Sequence, residues 1–270
     1  GQSTTLRGRQ IARHMAAKIN EVVTGEYNHV GKAIIYGDTD SCYFSAYKTL
    51  KKEIDSGNIP WSKESVVQLY DQIGEEVNGT FPQFMLDYFH CPKSRGEVIK
   101  AGREIVGTQA LFITKKRYAV LYYDKEGKRS DVDGKPGKVK AMGLDLKRSD
   151  TPKIVQDFLS SLLLDVLTGS EKEHVYERVK AFKHEFAELP AWEKGTPKRV
   201  NNLTKFTEAE ERQGKANMPG HVRAAMNWNR LKRMHGDNYS MKIVDGFKII
   251  VCKLKSNPLG MTSVAYPTDE

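Results

Sequence analysis

The feature that most constrains the fold is a strand–turn–strand pattern at residues 33–45, AIIYGDTDSCYFS. Two runs rich in β-branched and aromatic residues flank a polar Gly-Asp-Thr-Asp segment, and this arrangement is typical of a β-hairpin. Amphipathic patterns with helical spacing lie on either side, at residues 5–23 and 64–88. More strand-like runs follow within residues 97–123. The first half of the chain is therefore expected to be α+β, with an antiparallel sheet and packed helices.

The pattern changes near residue 150, where helical periodicity becomes dominant. An Asp-Thr-Pro segment offers a helix start, and two helices are predicted between residues 154 and 186. One more strand is predicted at residues 247–251. We therefore place a domain boundary after residue 149, with an α+β domain over 1–149 and a mainly helical domain over 150–270.

Composition narrows the function classes. No stretch of the 270 residues approaches the roughly 18 consecutive apolar residues of a membrane span. The three cysteines are far apart and match neither a zinc site nor a disulfide framework, which favours a reducing compartment.

Lys plus Arg number 43 against 34 Asp plus Glu, a net charge of +9. The excess is concentrated between Lys194 and Lys255, with 14 basic and 5 acidic residues. A polyanion, with nucleic acid first, is the expected partner, although a solubilising surface explains the charge equally well.

The hairpin turn carries two carboxylates, Asp38 and Asp40, two residues apart at the end of a hydrophobic strand. An ordinary hairpin tip explains Asp and Gly at these positions. The alternative is a metal site, because Mg²⁺ prefers one or two carboxylates together with water and substrate phosphates. Two such ions can clamp the attacking and leaving oxygens of a phosphoryl transfer.

Three blocks in this region resemble family B DNA polymerases. Residues Tyr36 to Ser41, YGDTDS, resemble motif C, the palm hairpin that carries a catalytic aspartate. Lys115 to Tyr118 match the family's KKRY element, and residues 142–150 look like the segment that leads from palm to thumb. Blocks after residue 200 are most similar to the thumb of T-even-type bacteriophage replicative polymerases, so the resemblance covers nearly the whole chain. It implies a partial palm over 1–149 and a thumb over 150–270.

For catalysis, the resemblance implies that Asp40 coordinates both catalytic Mg²⁺ ions and that Asp38 has a supporting role. Glu104 resembles a palm glutamate near the metal site, although a surface glutamate explains it equally well. For DNA binding, Lys115, Lys116, Arg117 and Tyr118 would contact the primer end. Alternation along a strand would place Lys116 and Tyr118 on one face, where a lysine can donate to minor-groove acceptors present on every base pair. A solvated basic strand edge is the alternative.

In the second half, the resemblance implies that basic and amide side chains hold the duplex backbone, since such contacts are independent of DNA sequence. The residues that match are Lys147, Arg148, Asn202, Lys205, His221, Arg223 and Arg230, with Asn201, Asn227 and Asn229 as further candidates. Trp228 and Tyr239 are expected in the core.

The chain also departs from the family pattern. It lacks the Ser-Leu-Tyr-Pro motif with the second metal-binding aspartate, the fingers helix, a recognisable exonuclease and a clamp-binding tail after Glu270. Nucleotidyl transfer to a primer 3′-hydroxyl is therefore expected to need an N-terminal polymerase polypeptide, or a missing segment, that supplies these motifs, and the isolated chain is expected to be inactive. The implied partners are primer–template DNA, deoxynucleoside triphosphates, that polypeptide and a sliding clamp, with no membrane, in the cytoplasm of a phage-infected bacterium.

Two alternatives remain open. One is a non-catalytic primer–template-binding module derived from such a polymerase. The other is an unrelated Mg²⁺-dependent phosphotransferase, which explains the acidic hairpin but neither the KKRY block nor the thumb-like half.

Overall fold

The computed structural model describes residues 1–214 and 217–268. The chain divides into two compact units, Gly1–Ala141 and Met142–Glu270. The predicted boundary after residue 149 thus falls inside the second unit, and the palm and thumb assignments stay predictions. The end of the chain, where the resemblance implies a missing clamp-binding tail, lies outside the described residues. Both units combine helices with antiparallel sheets, so the α+β prediction is confirmed at that level.

The first unit contains two long helices close to where the periodicity predicts them. Its helices are α1 Gln2–Thr24, α2 Tyr47–Asp55, α3 Lys63–Phe89 and the short α4 Lys93–Gly96. Helix α1 ends because Gly25 adopts a left-handed conformation (φ +81°) and its N–H donates to the Glu21 carbonyl. Helix α3 begins with a reciprocal cap, in which the side chains of Ser62 and Ser65 accept each other's backbone N–H.

The strands of the first unit form two sheets. They are β1 Ile34–Gly37, β2 Cys42–Phe44, β3 Ile105–Thr114, β4 Arg117–Lys125, β5 Lys128–Arg129 and β6 Lys138–Met142. Strands β1 and β2 form the predicted antiparallel hairpin. Strand β4 pairs with β3, β5 and β6 in a second sheet.

One face of the hairpin is fixed on the helical core of this unit. That core consists of Ile19 from α1 and Ile73, Val77 and Phe81 from α3, all buried. The hairpin residues Ile34, Cys42 and Phe44 pack against it. The acidic turn is therefore held at the end of strands that are anchored by apolar burial.

The second unit contains the predicted helices and one sheet. Its elements are a 3-10 turn at Asp145–Lys147, α5 Lys153–Leu167, α6 Lys172–Glu188, α7 Ala191–Lys194, β7 Thr196–Arg199, α8 Leu203–Gln213, α9 Gly220–Met234, β8 Lys248–Lys253 and β9 Ser263–Pro267. The strand predicted at 247–251 is confirmed as β8. It lies at the centre of a three-stranded antiparallel sheet, so a mainly helical domain is an incomplete description. The sequence TPKR of β7 contains only one β-former, Thr196, and its proline is tolerated because the strand lies at the sheet edge.

Helix α9 packs closely on this sheet because it presents small residues. Ala224 and Ala225 are fully buried, as are Val222 on the same helix and Ala265 on β9. This core fixes the orientation of the polar side chains on the remaining faces of α9. Within the described ranges, no helix combines the length and the apolar character required to cross a bilayer.

Candidate functional site

The two carboxylates of the hairpin turn have different environments. Thr39 donates to Asp38 Oδ1 from its backbone N–H (2.9 Å) and from its hydroxyl (3.3 Å), and the Asp38 carboxylate is only 15% exposed. The Asp38 backbone N–H donates to the Ser41 carbonyl at 2.9 Å and closes the turn. Asp40 is exposed and makes no hydrogen bond or ion pair with the described residues. Asp38 is therefore part of the turn architecture, whereas the Asp40 carboxylate is available to a ligand.

Lys115 and Lys116 form the turn between β3 and β4, so the prediction that they alternate along a strand is wrong. Lys116 adopts a left-handed backbone conformation (φ +61°), which a run of charged residues without glycine does not signal. Its backbone N–H donates to Tyr36 Oη at 2.9 Å, and its Nζ lies 3.4 Å from Asp38 Oδ1. The β1–β2 hairpin and the Lys115–Lys116 turn therefore contact each other directly.

This contact changes the electrostatics of Asp38. Partial desolvation raises the pKa of the Asp38 carboxyl, but the hydrogen bond from Thr39 and the charge of Lys116 lower it more, and the net pKa is below its usual range. Lys116 remains 59% exposed, so its ammonium can still reach a ligand.

A cluster of four aromatic rings joins the two hairpins. Tyr36 and Tyr43 from the first hairpin contact Phe112 and Tyr118 from the second, with ring centroids 5.2–6.2 Å apart. A bulge between Ile34 and Tyr36 makes this possible. In a regular strand the side chains of Ile34 and Tyr36 would both point to the helical core, whereas the bulge turns Tyr36 to the opposite face of the hairpin. Sequence reasoning missed this role of Tyr36, Tyr43 and Phe112, since strict alternation gives no sign of the bulge.

Tyr118 lies inside this cluster. Its side chain is 3% exposed, and its hydroxyl accepts a hydrogen bond from Tyr43 Oη at 3.3 Å. Burial raises the pKa of the Tyr118 phenol. In this structure Tyr118 positions the Lys116 turn, and its contact with DNA stays a prediction. Arg117, at the start of β4, is exposed.

Glu104 precedes β3, and both of its carboxylate oxygens accept from Lys140 Nζ at 2.7 Å. Lys140 Nζ also lies 5.9 Å from the centre of the Tyr43 ring. Within residues 1–214 and 217–268, no group of three or more His, Cys, Asp or Glu side chains is arranged to hold a metal ion. Of Asp38, Asp40 and Glu104, Asp40 alone is exposed and has no hydrogen bond or ion pair with the described residues.

The predicted DNA-binding residues of the second unit fall into two groups. Lys147, Asn202, Lys205 and Arg230 are exposed, and among the described residues none of these four forms an ion pair. The guanidinium of Arg148 contacts Asp150 at 3.1 Å and Asp145 at 3.6 Å. Arg223 forms an ion pair with Glu210 on α8, with Nη1 and Oε1 3.4 Å apart, so the Glu210 carboxylate partly balances its charge.

His221 opens onto a shallow cleft of about 420 Å³ at the start of α9. Lys198 and Lys253 line the same cleft, together with Thr196 and Thr262. Burial and the charge of Lys198 lower the pKa of His221. Lys198 Nζ already pairs with Asp150 Oδ2 at 2.8 Å, so Lys253 and the N-terminus of α9 are the groups here that favour an anion such as a phosphate. Sequence reasoning missed Lys198 and Lys253, because they are distant in sequence and meet at this cleft through the paired strands β7 and β8.

Three interpretations of side chains on and after α9 require correction. Asn227 donates to the Ser263 carbonyl, and Asn229 pairs with both the N–H and the carbonyl of Ile243, so these amides stabilise the fold. They are unsuited to hold DNA backbone while those bonds persist. Tyr239, expected in the core, is fully exposed.

Known proteins with a similar sequence are phage polymerases. No protein-family model matches the chain. The DNA-directed DNA polymerase of Enterobacteria phage T4 is 28% identical over 279 residues, which covers 98% of this chain and 29% of that protein. The DNA-directed DNA polymerase of Escherichia phage RB69 is 28% identical over 274 residues, again 98% of this chain and 29% of that protein. The chain thus spans less than a third of the length of these relatives. The resemblance to phage DNA polymerases indicated by the motifs is confirmed over almost the whole chain.

Proposed function

We propose that the chain is a C-terminal palm and thumb portion of a family B DNA polymerase, and that it supports Mg²⁺-dependent nucleotidyl transfer to a primer 3′-hydroxyl. The observation that carries this proposal is the contact between two distant motifs, in which Lys116 bonds to Tyr36 and lies 3.4 Å from Asp38. An exposed lysine that can hold a DNA end is thereby placed beside a turn with an available carboxylate, Asp40. The similarity to two phage polymerases along the chain supports the same function.

The metal site is proposed to be shared. Asp40 would contribute one ligand, and Asp38 would support the turn through its bonds to Thr39 and its ion pair with Lys116. Substrate phosphates, water and a carboxylate of an N-terminal polypeptide would provide the rest. When bound, Mg²⁺ supplies charge stabilisation to the oxygens of the transferring phosphate. Because Lys140 occupies the Glu104 carboxylate, Glu104 would need to exchange that lysine before it could serve as a ligand.

Primer–template DNA is the proposed macromolecular partner. Lys115 and Lys116 would contact the minor groove near the primer end, where acceptors common to all base pairs report pairing geometry. In the second unit, Lys205, Arg230 and the cleft beside His221 would contact backbone phosphates. Deoxynucleoside triphosphates and a sliding clamp belong to the same proposal.

The test is templated primer extension with the purified chain, alone and mixed with an N-terminal polypeptide that supplies the missing motifs. We expect extension only in the mixture and expect Asp40→Asn to abolish it. Asp40 has no partner among the described residues, so this change should leave the fold intact. Glu75→Gln, an exposed carboxylate on α3, is the matched control and should remain active.

The same experiment distinguishes the alternative of a non-catalytic binding module. Equal extension by the wild-type and Asp40→Asn mixtures would refute a catalytic role for Asp40. If such mixtures still bound primer–template DNA, a binding module would be the correct description. Robust extension by the chain alone would contradict the requirement for a second polypeptide.

A further inference from the structure

The loop that follows α9 presents an unusually exposed aromatic ring. Tyr239 is 100% exposed, and Met234 and Met241 on either side of it are 52% and 45% exposed. Aromatic side chains usually bury most of their surface, and an exposed cluster of large apolar groups marks an interaction site.

The loop is held in place by its own hydrogen bonds. The Asp237 carboxylate accepts from the backbone N–H of Tyr239 (2.9 Å) and of Ser240 (3.0 Å), and Lys232 donates to the Asp237 carbonyl. Trp228 Nε1 on α9 donates to the Met241 carbonyl at 2.9 Å. Hydrogen bonds from Ser240 and Tyr239 lower the pKa of Asp237 to about 2, so this anchor persists across the neutral range. A ring on an anchored loop loses little conformational entropy when it binds.

The charges around Tyr239 define the chemistry of the occupant. Between residues 230 and 242 there are four basic side chains and a single carboxylate, that of Asp237, which already accepts hydrogen bonds within the loop. Arg233 and Lys242 are exposed, and neither forms an ion pair with the described part of the chain. A stacking surface flanked by unpaired cations matches single-stranded nucleic acid, whose bases expose their faces and whose phosphates are anionic.

We propose that Tyr239 stacks on an unpaired base of single-stranded DNA while Arg233 and Lys242 contact the adjacent phosphates. Base pairs inside a duplex hide their faces by stacking on each other, so the inference goes beyond the duplex contacts described above. The site is also separate in space from the His221 cleft. Helix α9 has 15 residues, so about 20 Å of helix separates its two ends.

The test measures binding of the purified chain to a fluorescein-labelled single-stranded oligodeoxythymidylate. An abasic strand with the same number of phosphates and a blunt duplex serve as comparison ligands. The variants are Tyr239→Ala, Tyr239→Phe and Tyr176→Ala. Tyr176 is a matched control, because it is 54% exposed and has Lys172 Nζ 5.4 Å from its ring centre, but it lies on α6.

We expect Tyr239→Ala to bind oligodeoxythymidylate about tenfold more weakly, which lies in the lower half of measured base–aromatic stacking contributions. Its affinity for the abasic strand and the duplex should not change, and both Tyr239→Phe and Tyr176→Ala should resemble the wild type. Replacing Arg233 or Lys242 by Gln should make the slope of log K against log[salt] for single-strand binding less steep, by about 0.7 for each phosphate that the variant no longer neutralises.

Four results would overturn the inference: no single-strand binding by the wild type, equal wild-type affinity for the abasic and the thymidine strand, unchanged binding by Tyr239→Ala, or an equal reduction on the duplex. None of these results bears on the Asp40-dependent extension assay, so failure of this inference is distinguishable from failure of the proposed function.

Discussion

The Lys116 turn makes a quantitative prediction about stability. Lys116 has φ +61°, where the Cβ of an L-residue approaches the carbonyl oxygen at a cost of about 1–2 kcal/mol. Glycine avoids that crowding but increases the conformational entropy of the unfolded chain, at a cost of about 0.4–1 kcal/mol. Lys116→Gly should therefore be about 0.5–1 kcal/mol more stable than Lys116→Ala. Both variants lack the ion pair with Asp38, so its absence cancels in the comparison.

The assay is urea denaturation followed by far-UV circular dichroism, with the unfolding transition of the first unit compared between the two variants. Lys115 provides a matched control, because it lies in the same turn but has a negative φ. There the order should reverse, with Lys115→Gly less stable than Lys115→Ala. If Lys116→Gly were no more stable than Lys116→Ala, the argument that the turn holds a strained backbone would be refuted.

Three further predictions concern other parts of the chain. His14 is buried between Tyr27 Oη and Thr80 Oγ1, and burial and then the charge of Lys18 lower its pKa. As the pH falls, the unfolded state therefore binds a proton at His14 before the folded state does, so the free energy of unfolding should decrease below about pH 6.5. In urea denaturation midpoints measured at several pH values, His14→Gln should show a smaller decrease than the wild type. Asn229→Ala leaves the buried N–H and carbonyl of Ile243 unpaired and should lower the free energy of unfolding by about 1–3 kcal/mol, with unchanged DNA affinity of the folded protein. Lys205→Ala should make the slope of log K against log[salt] for duplex binding less steep, by about 0.9 for each phosphate contact that is lost. Lys116→Ala should mainly reduce the discrimination between matched and mismatched primer ends. Equal effects of the two variants in both assays would contradict separate roles.

The elements that the sequence predicted correctly are those whose signal is local. Helices α1 and α3 and the β1–β2 hairpin follow from periodicity, turn residues and caps that lie within a few positions of each other. The sequence did not predict the Lys115–Lys116 turn, because its left-handed residue is a lysine whose backbone N–H donates to the Tyr36 hydroxyl of another hairpin. Strand β7 was not predicted either, because its backbone hydrogen bonds are made with β8, which is distant in sequence.

The candidate site shows the same division. The family resemblance suggested that Asn227 and Asn229 contact DNA, and the ability of an amide to donate to phosphate agreed with it. Both amides instead bond to backbone groups of segments that follow α9, and only the fold shows that those groups lie within reach. Tyr239 reverses the case, since its aromatic ring predicted burial and the structure exposes it.

The spacing of the two hairpin carboxylates gives them separate roles. In a turn of this length, one side chain can fold back onto the turn while the other points away from it. Asp38 accepts two hydrogen bonds from Thr39 and lies beside Lys116, so its charge is balanced by groups of this chain. Asp40 has no such balance among the described residues, and an unbalanced carboxylate on an anchored hairpin attracts a cation or a hydrogen-bond donor. Because Lys116 balances Asp38, Asp40 is left as the carboxylate of this turn without a partner among the described residues.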